Sequence, residues 1–457
     1  MEENNINPLG KEPVNNLLMK FAVPSIIAML VSALYNIVDQ FFIGRSIGEL
    51  GNAATNVAFP LSISCVAIAL LFGIGGASAF NLTIGKGDKK EAVYYAGNAA
   101  AMLFLCGTVL CIITQIFLTP MLKFFGSPAE VLDYAKEYTR ITSLGFPFLI
   151  LATGGGHLIR ADGSPKFTMI CNLTGAIINT ILDAYFVFGL NLGIAGAAVA
   201  TVIGQAVSGF MALYYLRHYK TVTIKKEHLI IQKKYVGRII SLGSAPCTNQ
   251  LAMMVVQIIM NNSLTHYGAM SIYREAIPLA CAGIITKVNQ VFFSFIIGIS
   301  QGLQPIVSFN YGAKKYTRVK KAYKTAAVYG LCISITAFLM FQFLPRQIIS
   351  LFGDGSDEYY RFGESYFKIF LMFTFMNFLQ PITSNFFTAI GKPRKGIFLS
   401  LTRQIIFLLP LILILPLFMD IDGILYSGPV ADFVAGTIAI TMILKEFKNK
   451  IYENSPL

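Results

Sequence analysis

Charged residues are scarce in this 457-residue chain, since Asp, Glu, Lys and Arg together make up only 13% of it. Soluble domains carry roughly 25% charged residues. Hydrophobic residues make up 55% of the chain, and the mean hydropathy is +0.63. A membrane-spanning helix needs about 20 apolar residues, and runs of that size recur along the sequence. The composition therefore excludes a water-soluble fold and predicts an all-α integral membrane protein.

Other absences narrow the function. Trp is missing, so the 21 Tyr residues must form the aromatic belts at the membrane interfaces alone. The seven Cys lie in or beside apolar runs without the paired spacing of a metal or redox motif, and we interpret them as small core residues. The four His have no ligand spacing, and no nucleophile has a neighbouring base. We expect neither an enzyme nor a cofactor.

The amino terminus lacks the features of a secretory signal. The stretch MEENNINPLGKEPVNN has no basic region and no small-residue cleavage site. We therefore expect the first apolar run to remain as a helix. Twelve transmembrane helices are predicted near 17–43, 53–84, 92–118, 134–158, 166–189, 194–217, 235–266, 276–310, 318–344, 360–390, 396–418 and 423–446.

The basic residues are distributed unevenly between the predicted turns. The turns after helices 2, 4, 6, 8 and 10 hold twenty Lys and Arg residues, whereas the opposite turns hold five. The positive-inside rule places these five turns and both termini in the cytoplasm. The net charge of +13 is explained by this topology, and we expect the lipid bilayer, not nucleic acid, as the surroundings.

The two halves of the sequence repeat each other. Landmarks recur at a nearly constant separation along the chain, where Gly85 aligns with Gly312, Gly126 with Gly353, Gly163 with Gly391 and Pro165 with Pro393. This predicts a first six-helix unit at 1–216, a basic linker at 217–238 and a second six-helix unit at 239–457. Because six is even, both units insert in the same orientation, as in parallel-repeat transporters. We expect a substrate cavity between them and alternating access by rocking.

Two acids lie inside predicted helices of the first half. Charges at membrane depth are costly and by default mark ion or substrate pathways. Asp39 lies in helix 1 and Asp183 in helix 5. Helical spacing predicts polar neighbours around them, namely Tyr35 and Asn36 on helix 1, Asn179 on helix 5, and Thr201 and Gln205 on helix 6.

The chemistry expected of these acids follows from their isolation. No basic residue is expected at membrane depth in helices 1 to 6, and two carboxylates in a dry pocket cannot both stay charged without a cation. A carboxyl group of this pair can therefore exchange a proton, a sodium ion or an organic cation near neutral pH. The alternative is that the acids only cap polar contacts between helices. Asp39 aligns with Asn261 or Ser263, and Asp183 with Leu411, so the second half lacks both acids.

The remaining features concern helix 1 and the second half. Pro24 removes a backbone hydrogen bond and permits a kink in helix 1, and protonation of Asp39 could then bend the helix. The alternative is that Pro24 simply starts this helix. In the second half, Arg403 and Asp432 are expected to form a structural ion pair, and Lys287 either snorkels or faces the cavity.

Several segments together resemble the multidrug and toxic compound extrusion (MATE) transporters, in particular the bacterial multidrug exporters. These segments are VDQFFIG, IGKGDKKEA, RADGSPKFTM, NTILDAYFVFGLNLGIAGAAVAT and the pair RQ at Arg403. The resemblance implies two six-helix bundles around a V-shaped cavity, and export of small cationic or amphipathic compounds in exchange for protons or sodium. It also implies a cation site of Asp39, Asn179, Asp183 and Thr201. We expect a monomer in the bacterial inner membrane.

A second reading is a lipid-linked oligosaccharide flippase of a related fold. Such a protein should line its cavity with several Arg or Lys side chains that bind pyrophosphate. Only Lys287 and Arg403 are available at membrane depth in the second half, so the exporter is favoured.

Overall fold

The computed structural model describes residues 7–273, 276–352, 356–448 and 452, and among these residues every regular element is a helix. The first half contains α1 (Pro8–Lys11), α2 (Val14–Ile47), α3 (Glu49–Gly85), α4 (Lys89–Ile116), α5 (Leu118–Phe124), α6 (Ala129–Thr142), α7 (Phe146–Ala161), α8 (Pro165–Asp183) and α9 (Gly193–Arg217). The second half contains α10 (Lys233–Ala269), α11 (Ala276–Gly312), α12 (Tyr316–Phe343), α13 (Pro345–Ser350), α14 (Asp357–Phe370), α15 (Leu379–Ala389), α16 (Pro393–Leu401), α17 (Leu409–Ile414) and α18 (Pro416–Phe447). Ala184–Gly189 and Thr402–Leu408 are π-helical.

Eleven segments of the described chain are long and apolar enough to cross a membrane. The prediction of an all-α membrane protein is thus confirmed, but the described residues show eleven such segments and not the predicted twelve transmembrane helices. The predicted helix 360–390 is divided into α14 and α15, and the predicted helix 134–158 is divided into α6 and α7. Pro381 and Pro147 lie in the first turns of α15 and α7, where the missing proline N–H costs no helical hydrogen bond.

The two halves repeat the same unusual backbone turns. Left-handed φ angles occur in pairs at nearly the separation that relates the sequence landmarks, at Gly87 and Lys314, at Gly163 and Gly391, and at Asn191 and Asp420. Residues other than glycine rarely adopt such angles. Lys314 and Asp420 therefore have the backbone φ angle of the repeated turn, although residues with a side chain disfavour it. The recurrence supports the duplication seen in the sequence. Gly353, one of its landmarks, lies outside the described residues.

Helix α2 continues without interruption past Pro24. The helix begins at Val14, so the interpretation in which Pro24 starts it is wrong. Pro24 has no N–H to donate to the preceding turn, and the hydroxyl of the next residue, Ser25, donates to the Phe21 carbonyl at 2.9 Å. The helix is thus locally weakened one third of the way along its length.

Arg160 is buried inside a helix, although the sequence placed it in a turn. It lies in the last turn of α7 with 4% of its surface exposed, and its Nη2 lies 2.9 Å from Nδ1 of His157. This extends a membrane helix into a predicted turn, but Arg160 stands at the end of α7 and does not contradict the expectation that no basic residue lies at membrane depth in helices 1 to 6. Asp183 ends the following helix, α8. Nineteen residues of helix span about 28 Å, so Arg160 is remote from that acid.

The two halves meet on one side of the bundle. We call this the terminal side, because α2 begins there and α18 ends there, and the opposite side the distal side. The ends of α3 and α11 pack against each other on the terminal side through Gly85 and Gly312. A Cβ at Gly85 would overlap the carbonyl oxygen of Phe309, and one at Gly312 would overlap that of Leu82. Only glycine permits this approach of two backbones.

The contact is reciprocal, because Leu82 and Phe309 are related by the same offset as Gly85 and Gly312. Side-chain hydrogen bonds join the halves beside it. Gln304 of α11 donates to Ser78 Oγ at 2.9 Å and to the Ile74 carbonyl at 3.2 Å on α3. We call this contact between the terminal-side portions of α3 and α11 the seam.

The seam makes a testable claim about Gly312. We expect Gly312→Ala to lower the thermal stability of the purified protein, because overpacking of a close contact costs about 1–3 kcal/mol. Gly237→Ala in α10 is the matched control, since a Cβ there meets nothing within 4 Å, and alanine is the better helix former. Thermal unfolding in detergent measures both. Equal stability of the two variants would refute the close contact.

Candidate functional site

Asp39 and Asp183 come together in the interior of the first half. Helix α2 packs against α8, and the two carboxyl groups lie side by side. Asp39 is 8% exposed and Asp183 is fully buried. Both acids lie toward the distal ends of their helices, on the other side of the bundle from the seam.

Neither acid has a basic partner in the described part of the chain. One oxygen of Asp39 and both oxygens of Asp183 accept no hydrogen bond from any residue that the structure describes. An isolated buried carboxylate is costly, so the pair requires a bound proton or another cation. This is the feature that the sequence predicted, and Arg160 does not alter it.

Asn179 and Thr201 complete the polar cluster. Asn179 Nδ2 donates to Thr201 Oγ1 at 3.3 Å, and both residues are buried. This bond turns the amide nitrogen toward α9 and leaves Asn179 Oδ1 without a partner. Together with the acids, the cluster offers four unpartnered oxygens. Carboxylate and carbonyl oxygens suit hard cations, so the residues fit a small ion as well as a proton.

Two tyrosines border the acids. The Tyr35 hydroxyl faces Thr201, and Tyr138 of α6 lies beside Asp39, Asp183 and Tyr35. Sequence reasoning missed Tyr138, which stands at the predicted start of helix 4. The sequence feature that could have revealed Tyr138 is its helical spacing from Val131 and Ala135, which are both buried.

Two other predicted residues lie differently. Asn36 is exposed, and its amide donates to the Ser32 carbonyl of its own helix at 2.9 Å. The structure therefore does not bring Asn36 to the acids. Gln205 lies one turn beyond Thr201, and its Oε1 rests over Gly145 between α6 and α7 without a hydrogen-bond partner.

A π-helix begins directly after Asp183 and runs from Ala184 to Gly189. Such segments are rare and frequently occur at functional sites. The other π-helix of the described chain contains Arg403, so each half has one beside its buried charges.

The second half lacks an equivalent acid pair among the described residues. Gln257 and Asn261 of α10 occupy the positions that Tyr35 and Asp39 hold in α2, and Gln257 donates to Asn261 at 2.9 Å. The predicted ion pair is present, with Arg403 Nε 2.5 Å from Asp432 Oδ1. Lys287 is partly exposed and has no ion pair within the described ranges. The two halves therefore have similar helices but different buried charges, namely two acids in the first half and an ion pair in the second.

Comparison with known proteins gives matches along nearly the whole chain. The MatE family model matches residues 24–185 and again 247–414, once in each half. Multidrug export protein MepA of Staphylococcus haemolyticus strain JCSC1435 is 24% identical over 440 residues, which cover 95% of this chain and 94% of MepA.

Solved structures match to the same extent. The structure of the MATE multidrug transporter DinF-BH is 30% identical in sequence, with a TM-score of 0.88 and coverages of 97% of this chain and 98% of its own. A MATE protein in complex with MaL6 has a TM-score of 0.90 at 20% identity, with coverages of 98% and 99%.

The charge environments of the two halves predict opposite effects of neutralising one acid. We expect Asp183→Asn to leave the thermal stability unchanged or to raise it, since it removes a carboxyl with no basic partner. Asp432→Asn should lower the stability by about 3 kcal/mol, because it removes the ionic partner of Arg403, whose side chain is only 14% exposed. Thermal unfolding in detergent compares them. An equal loss in both variants would mean that Asp183 has an unseen structural partner.

Proposed function

Because the chain belongs to the MatE family of membrane transporters, we propose that it exports small cationic or amphipathic drugs or toxins in exchange for protons or sodium ions. It is a transporter and not an enzyme. The observation that carries the proposal is the buried pair of Asp39 and Asp183 without a basic partner. The multidrug exporters that it resembles over nearly their full length support the substrate class.

The acid pair supplies the coupling. Loss of a proton or sodium ion leaves a buried negative charge, which a cationic drug can then neutralise. Binding of the coupling ion removes that charge and weakens the attraction for the drug. Two cations that compete for one site are exchanged and not carried together, which is the requirement of an antiporter.

The position of the seam supports alternating access. In our proposal the two moving bodies are residues 1–216 and 239–457, joined by the linker 217–238. The positive-inside rule makes the terminal side, where the turns are rich in Lys and Arg, the cytoplasmic side. A closed seam on that side and acids toward the distal side correspond to a state open to the exterior. Rocking of one body against the other would open the seam.

Helix α2 connects the acid pair to the contact between the halves. Ile26 of α2 packs against Gly298 of α11, and Asp39 lies about three and a half turns further along the same helix. Pro24 weakens the helix next to Ile26. Exchange of the ion on Asp39 can therefore change the bend of α2 and the packing at the contact.

The flippase reading has less support. It requires several cationic side chains for a pyrophosphate. At membrane depth in the described second half, Arg403 is already paired with Asp432, which leaves only Lys287. In the proposed setting the protein works as a monomer in the bacterial inner membrane, with both termini in the cytoplasm.

The first functional test is resistance. We expect Asp183→Asn to abolish drug resistance in a host without its own efflux pumps, at unchanged expression, because the neutral amide cannot exchange an ion. Growth at graded drug concentrations measures the loss, and immunoblotting of membranes controls for expression. Unchanged resistance would remove Asp183 from the mechanism.

The second test separates the coupling ions. Purified protein in liposomes is given a pH gradient alone and, separately, a sodium gradient alone. One of the two gradients should drive transport of a fluorescent lipophilic cation. The gradient that drives transport in the wild type should fail in Asp39→Asn. Transport that depends on neither gradient would overturn antiport and favour the flippase.

A further inference from the structure

The seam contains polar side chains that the acid pair does not explain. Helix α3 contributes Ser78 and Asn81, and α11 contributes Gln301, Gln304 and Ser308. Within each helix these residues are three, four or seven positions apart, so they share one face. The same faces carry the two seam glycines, each four positions further on. The polar residues thus lie where the two halves meet.

These side chains are only half satisfied in the closed seam. Gln304 has two partners across the contact. In contrast, Asn81 Oδ1, Gln301 Oε1 and Ser308 Oγ have no hydrogen-bond partner in the described ranges, although the three residues are only 1%, 6% and 0% exposed. The other end of Gln301 reaches only the sulfur of Met29, at 3.8 Å. A buried polar group without a partner costs about 1–3 kcal/mol.

Two of these orphan groups are related by the duplication. Asn81 and Ser308 are separated by the same offset that relates Gly85 to Gly312. Each half therefore presents one unpartnered polar group to the other at the same level of the seam. A permanently closed contact would be more stable with apolar residues at both positions.

We propose that this face is the wall of the cytoplasmic uptake path, and that Asn81, Gln301 and Ser308 are hydrated and hydrogen-bond the substrate when the seam opens. The face bears amides and hydroxyls but no charged side chain at these positions. Such a face suits an amphipathic cation whose charged group keeps its hydration water. Its neutral amides and hydroxyls bind the cation weakly, so the drug can move on to the acid pair. The unmet hydrogen bonds of the closed seam also favour its opening. This inference rests on the alternating access proposed above.

The first test removes an orphan hydroxyl. Ser308→Ala should leave the thermal stability equal or higher and slow drug export several-fold, because the closed seam then opens less readily. Ser334→Ala is the matched control, since Ser334 is also fully buried with an unpartnered hydroxyl but lies in the distal part of α12. The control should keep the export rate. Equal export by both variants would overturn the role of Ser308.

The second test measures exposure directly. Asn81→Cys and Ser308→Cys are compared with Ala79→Cys and Ile306→Cys, whose parent residues are buried on the opposite faces of the same helices. A membrane-impermeant maleimide is added to inside-out vesicles, and peptide mass spectrometry quantifies each modified cysteine. Positions 81 and 308 should react several-fold faster than 79 and 306. Equal rates would refute a water-filled path along this face.

The outcomes separate this inference from the function on which it rests. Ion-driven export with equal labelling at all four positions rejects the uptake path and leaves the antiporter standing. Selective labelling at 81 and 308 without ion-driven export supports the path and rejects the coupling.

Discussion

Two buried carboxylates without a basic partner among the described residues set the main constraint on this protein. Asp39 and Asp183 lie side by side, and most of their oxygens accept no hydrogen bond. A fold that had only to be stable would pair or remove such groups. The surrounding elements instead support the pair, since Asn179 and Thr201 hold each other in place and a π-helix begins directly after Asp183. We infer that the site is kept for a cation that comes and goes.

The duplication of the six-helix unit relates this site to the proposed movement of the two halves. The same left-handed turns and the same glycine contacts recur in both halves, and in our proposal the halves rock about this shared contact. Their charges differ, however. The first half holds unpaired acids, whereas the second half holds the closed pair of Arg403 and Asp432. In the proposed mechanism the symmetry accounts for the movement of the halves, and the difference in charge confines ion binding to the first half.

The sequence predicted the membrane class, the duplication and most of the acid cluster, because hydropathy, turn residues and helical spacing are local signals. Asn36 was grouped with the cluster on helical spacing alone, whereas in the structure its side chain is exposed and donates to a carbonyl of its own helix. Tyr138 was missed because its approach to the acids depends on the packing of α6 against α9, which no local signal in the sequence shows. The seam was missed as well, since Asn81 and Ser308 become neighbours of the opposite half only after helices far apart in sequence have packed.

Competition between ion and drug at the acid pair is the central claim, and proton release tests it most directly. Addition of a lipophilic cation to the purified protein in weakly buffered, sodium-free detergent solution should release protons in the wild type and in Ser334→Ala. Asp39→Asn and Asp183→Asn should release none. Proton release that persists in both acid variants, or drug binding without release in the wild type, would contradict the account.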